Sequence, residues 1–165
     1  MDHVDKIIKQ WNQERPDLNV GPMATIGRVK RLSIFFTREM ERTFAEFDLH
    51  SASFDVLATL LRSGKPYCMS PGELIASTMV TSGTMTNRVD QLEKAGLVVR
   101  VQSEQDKRSM KISLSDKGYT LINKVVEQHV KTQDQLTQML SQKEKQTLDS
   151  LLQKITPYFE NTDNQ

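Results

Sequence analysis

Apolar positions along the chain fall into stripes of two different periods. Val4, Ile7, Ile8 and Trp11 stand at i, i+3, i+4 and i+7, which predicts a first helix over Asp2 to Gln13. The stretch "ERPDLNVGPM" carries two prolines and a glycine and reads as a connector. From Ala24 to Phe47 a long helix is predicted, because Val29, Leu32, Phe36, Met40, Phe44 and Phe47 recur at spacings of three and four. A third helix follows, with Ser51 as its expected N-cap and Phe54, Leu57, Ala58 and Leu61 as its apolar face. Leu60 lies at the edge of that face, and Gly64 and Pro66 stop the helix. "SPGELIASTMV" places Ser70 at an N-cap, Pro71 at the first helical position and Glu73 at the third, the capping box of a short helix ending near Thr78. In "TSGTMTNRVDQLEKAGLV", Met85, Val89 and Leu92 define a buried face, and Gly96 ends the helix.

After Gly96 the period changes to two. "LVVRVQ" and "MKISL" predict a hairpin joined by "SEQDKRS", with Ile112 and Leu114 inward and Lys111 and Ser113 outward. Ser115 then caps a long helix expected to reach Leu140. "SQKE" opens a last one carrying Leu148, Leu151, Leu152, Ile155 and Phe159, and "NTDNQ" is a polar tail. Three helices followed by a hairpin over Ser51 to Leu114 make a winged helix-turn-helix pattern. The fold class is therefore mainly α with a small β-hairpin wing: a winged helix-turn-helix lobe plus a helical dimerisation domain. Its divisions are an N-terminal helix and connector (1–22), a helical dimerisation region (23–48 and 115–160), the winged lobe (49–114) and the tail (161–165). The outer stripes exceed what so small a lobe can cover, so an intertwined homodimer is expected.

Composition narrows the class. With 165 residues, 37% hydrophobic and 26% charged, the chain suits one globular domain. Its apolar runs are too short to span a bilayer, and its acidic N-terminus does not resemble a signal peptide, so no membrane partner is expected. A single cysteine, Cys68, gives no internal disulfide and fits a cytoplasmic protein. Net charge is only +1 and the pI about 7.8, where nucleic-acid binders often exceed roughly 9. Any DNA affinity must then rest on local charge, geometry and dimerisation. No P-loop, glycine-rich nucleotide motif, metal-ligand spacing or Ser–His–Asp context is present, so neither catalytic residues nor a cofactor or metal is expected.

The succession "FDVLATLL", "SPGELI", "SGTMTNRVDQLEKAGLV", "DKRS", "ISLSDKG" and "LSQKEKQTLDSLLQKI" resembles the MarR family of bacterial transcriptional regulators. The N-terminal "QWNQERPDLNVGPMATIGR" is similar to the extension of its PecS-like, urate-responsive subgroup. The resemblance implies a homodimer on a pseudo-palindromic operator of double-stranded DNA, usually a repressor relieved by a small ligand or an oxidant. It makes "TSGTMTNR" the start of the recognition helix, where small side chains allow close approach to DNA. Base contacts are expected from Thr84, Asn87 and Arg88, and phosphate contacts from Ser82, Thr86 and the amides near Ser70. Thr81 and Gln91 join the same face, Thr81 also reading as a simple N-cap. On the wing loop, Gln105, Lys107 and Arg108 are DNA candidates, with Arg108 reaching a minor groove and Asp106 orienting it. Lys107 stands where many members have Arg, and loses the planar fork.

For the effector, Trp11, Asp55 and Arg88 match positions that the subgroup associates with urate: a ring to stack on, an acceptor for ring N–H groups, and a cation. Phe54 departs from the Arg that some members carry there. Two other readings stay open. One is oxidant sensing through Cys68, which needs a low-pKa thiolate. The other is a winged-helix module that binds only proteins. His50 reads as a surface or capping residue.

Overall fold

Local caps set where each helix begins. Asp2 accepts the Asp5 N–H while Asp5 accepts the Asp2 N–H, a capping box that opens α1 (His3–Glu14). Arg28 of α2 (Gly21–Ala45) donates to both carboxylates and ties the two helices together. The computed structural model describes residues 1–78, 82–102 and 109–160, the side chains of residues 82–84 and 160 excepted. Helix α2 starts at Gly21 rather than at Ala24, because Pro22 falls in the first turn, where a missing N–H costs nothing. It ends at Ala45 rather than Phe47, and Asp48 turns the chain with a positive φ of 55°.

Helix α3 (Ser51–Arg62) corrects two expectations. Its N-cap is His50, not Ser51, and the His50 side chain does not cap it. The Ser51 N–H instead donates to the Glu41 carboxylate of α2, at 3.3 Å from each oxygen. The buried face is also rotated: Val56, Leu57 and Leu60 are wholly enclosed, while Phe54, Ala58 and Leu61 are only partly so. A helix with neighbours on several sides buries more than one stripe, and α3 packs on α2, α4, α5 and α6.

The sheet has three strands, not two. β1 (Cys68–Met69), unforeseen at two residues long, precedes α4 (Pro71–Ser77) and α5 (Ser82–Lys94). β2 (Val98–Gln102) and β3 (Met110–Leu114) form the expected hairpin, Val98 opposite Leu114 and Gln102 opposite Met110. β1 lies antiparallel on the other side of β3, giving the order β1-β3-β2. Ile112 and Leu114 point into a core shared with Leu74, Met85, Val89 and Leu92. Gly96, at φ 71°, closes α5 by donating to the Glu93 carbonyl while Leu97 donates to the Leu92 carbonyl, a Schellman motif.

Helix α6 (Asp116–Leu136) is fixed to this lobe at its first turn. The Ser115 hydroxyl donates to the Gly96 carbonyl at 2.7 Å and accepts the Gly118 N–H at 2.9 Å. Lys117 Nζ donates to the Ala95 carbonyl at 2.8 Å. Gly118 lies so close to the chain that a β-carbon there would stand 1.9 Å from the Leu97 carbonyl oxygen. Helix α6 stops at Leu136, short of Leu140, where the Thr137 hydroxyl turns back to the Gln133 carbonyl at 3.0 Å. The capping box of Ser141 and Glu144 opens α7 (Gln142–Glu160), and Leu148, Leu151, Leu152 and Ile155 of that helix all lie exposed.

Gly118→Ala should therefore lower folding stability by about 3 kcal/mol, read from denaturant unfolding. Gly72→Ala, with no atom near its would-be β-carbon, should be neutral or stabilise by roughly 0.5–1 kcal/mol.

Candidate nucleic-acid interface

Helices α4 and α5 carry the face that would meet DNA. Ser70 and Glu73 exchange hydrogen bonds at the start of α4, at 2.8 and 3.2 Å, so the Ser70 oxygen already serves the Glu73 N–H. Met85, Val89 and Leu92 lock α5 from behind, each no more than 3% exposed. On the other side Thr86, Asn87 and Gln91 are exposed. A small polar face on a helix so firmly seated can slide into a groove without rearrangement. The side chains of Ser82 and Thr84, and all of Thr81, Gln105, Asp106, Lys107 and Arg108, lie outside the described residues.

Arg88 does not join the outward face. It is half-buried and turns back onto α3, where Nη1 donates to the ring nitrogen Nε2 of His50 and to Gln91 Oε1 at 2.7 Å. Ser53 Oγ is 3.5 Å away and also meets the His50 ring, at 3.4 Å. Burial, with the Arg88 charge beside it, pushes the His50 imidazole below its ordinary pKa against the opposing pull of Glu41. Sequence reasoning missed Glu41, His50 and Ser53 as partners here, because no local pattern signals contacts that span 10 to 38 residues. Arg100, another cation of the lobe, is held by Asp90 and Glu93 of α5.

A groove of about 790 Å³ opens between α2, α3, α6 and α7. Its wall includes Phe44 and Phe54, stacked at 4.4 Å, with the His129 ring 4.7 Å from Phe54. Asp55 and Glu41 bring carboxylates to it, and Asp55 stands 3.9 Å from Arg62. Of the three effector candidates only Asp55 lines this groove; Trp11 is 40% exposed on α1, and Arg88 is held at the start of α3. Burial pushes the Cys68 thiol up, despite the lowering pull of Lys111 and Ser113, which is opposite to what oxidant sensing requires.

This arrangement, a firmly seated helix with an exposed polar face beside a three-stranded wing, defines a winged helix-turn-helix protein of the DNA-binding kind. The model of the MarR family matches residues 47–109. The regulator PecS of Dickeya dadantii (strain 3937) is 40% identical over 158 residues, covering 96% of this chain and 95% of that protein. The chain belongs to the MarR family and is a transcriptional regulator rather than an enzyme. Its fold is similar to that of AbsC, a MarR family regulator from Streptomyces coelicolor (TM-score 0.78, 21% identity, 87% of this chain and 97% of that one). It is similar also to a mutant MarR from E. coli complexed with operator DNA (TM-score 0.68, 24% identity, 88% of this chain and 96% of that one).

Burial lowers the pKa of His129 as well as that of His50. Unfolded imidazoles titrate near about 6.5, so this part of the stability is complete above that value and is lost as the pH falls through it toward the lower folded pKa. Thermal unfolding should show a falling midpoint between about pH 7.5 and 5.5, and His129→Phe, which keeps the stack, should flatten that fall.

Proposed function

We propose that the chain works in the cytoplasm as a homodimeric repressor that holds a pseudo-palindromic operator and releases it when a small planar effector enters the groove. The observation that carries the DNA part is the exposed polar face of α5, seated on Met85, Val89 and Leu92. Thr86, Asn87 and Gln91 on that face, with Ser82 and Thr84 at its start, meet the operator, and Gln105, Lys107 and Arg108 of the wing add charge.

The exposed stripes support the dimer. Val29, Leu32 and Phe36 of α2 are between 37% and 48% exposed, and Leu151 and Ile155 of α7 between 52% and 53%. Large apolar side chains left in water along two helices are a strong drive to association, and a two-fold dimer buries both copies at once. Residues 23–48 and 115–160 then form the dimerisation region and 49–114 the DNA lobe. Two lobes placed one helical turn of DNA apart, roughly 34 Å, would read the two half-sites.

Light scattering should give a mass of two 18.9 kDa chains. On DNA taken from upstream of its own gene, Asn87→Ala should weaken binding by about tenfold and relax preference at one A·T pair. Complete absence of a wild-type shift would favour the protein-binding module instead.

The effector part rests on the flat wall of Phe44, Phe54 and His129 and on the Asp55 acceptor. Urate, the ligand suggested by the subgroup resemblance, offers a planar ring with N–H donors. Added to the complex, it should release the DNA, and Asp55→Asn should blunt that response. A complex that persists at every soluble urate concentration removes urate as the effector.

A further inference from the structure

Arg88 sits among outward-facing polar residues in sequence, yet the fold gives its guanidinium three neighbours of its own. Nη1 donates to His50 Nε2 and to Gln91 Oε1, with Ser53 Oγ at 3.5 Å. Nε is buried and has no hydrogen-bond partner among the described residues. Reading guanine takes two parallel N–H groups presented together at the base edge. With Nη1 committed inward and Nε enclosed, neither edge of the fork that contains them is presented.

His50 is well placed to hold that arrangement. Its backbone is the N-cap of α3, which fixes where the ring starts. The next residue, Ser51, donates its N–H to Glu41 of α2. His50 therefore stands where α2, α3 and α5 come together, with Arg88 of α5, Glu41 of α2 and Ser53 of α3 as the polar groups around it. A neutral imidazole accepts from Arg88 through Nε2, whereas an imidazolium has no lone pair to offer.

We propose that His50 is a positioning residue for DNA binding: it holds Arg88, and through Arg88 it braces the recognition helix against the start of α3, leaving base reading to other residues of α5. The brace acts before DNA arrives. A helix already fixed in its binding orientation loses less freedom on docking than one that rocks, and so binds more tightly with the same contacts. The inference rests on the DNA-binding reading above.

The test compares wild type, His50→Ala, His50→Gln, Arg88→Ala and the double variant His50→Ala/Arg88→Ala on one operator fragment over a range of salt. Each single alanine variant should weaken binding by about tenfold, the scale of one charge-assisted hydrogen bond, and the double variant by no more than that. His50→Gln, whose amide oxygen can replace Nε2 as acceptor, should bind within about threefold of wild type. The slope of log affinity against log salt and the base preference should stay unchanged in all of them. A fall of about one unit in that slope for Arg88→Ala would mark a phosphate contact, and relaxed preference at one base pair would mark a base contact; either overturns the brace. Unchanged affinity in His50→Ala, or additive losses in the double variant, would overturn it too. Arg88→Met, which keeps the apolar stem, replaces Arg88→Ala if thermal melting shows that the latter does not fold. Absence of a wild-type shift would instead strike the DNA-binding reading, with the His50–Arg88 contact left standing as a purely structural tie.

Discussion

The close approach of Gly118 to the Leu97 carbonyl is the constraint on which the rest of the structure depends. At that point the backbone of α6 meets the backbone of the turn after α5, with no side chain between them. Ser115 and Lys117 satisfy the carbonyls of Gly96 and Ala95 just after α5, and the Ser115 hydroxyl takes the Gly118 N–H, one of the free donors in the first turn of α6. One short segment thus ends α5, starts β2 and sets the direction of the long helix. The order Gly96, Leu97 and then Ser115 to Gly118 follows from this: a turn glycine, a residue that fills the core, a cap, and a glycine where any β-carbon would collide.

How much of this was legible in the sequence depended on the range of each interaction. The capping boxes at Ser70 and Ser141 and the turn at Gly96 involve residues three to five apart, and they were read correctly. The alternation of Ile112 and Leu114 gave the inward face of β3 in the same way. Ser51 is not the cap because the helix already begins at it, after the extended backbone of His50, and a carboxylate ten residues upstream serves its N–H. Strand β1 escaped notice because two residues show no period, and its partner Ser113 lies 45 residues away. Arg88 shows the limit most clearly. Its helical position places it beside Asn87, but His50 and Ser53, at the start of α3, draw it inward, and nothing near it in sequence indicates that.

Among the described residues, three arginines of the lobe are engaged within the molecule. Arg88 serves His50 and Gln91, Arg100 serves Asp90 and Glu93, and Arg62 donates to the Ser77 carbonyl. Surface ion pairs add little stability one at a time, yet they fix where side chains point.

The short strand β1 has a consequence for life at high concentration. A small sheet has open strand edges, and open edges invite other chains to add on. Here β2 covers β3 along its whole length, and β1 covers it on the other side at Ile112 and Ser113. The edge beyond β1 is only two residues long, and β2 carries Arg100 in its middle. Short strands and charged side chains make such edges poor templates for growth into a fibre.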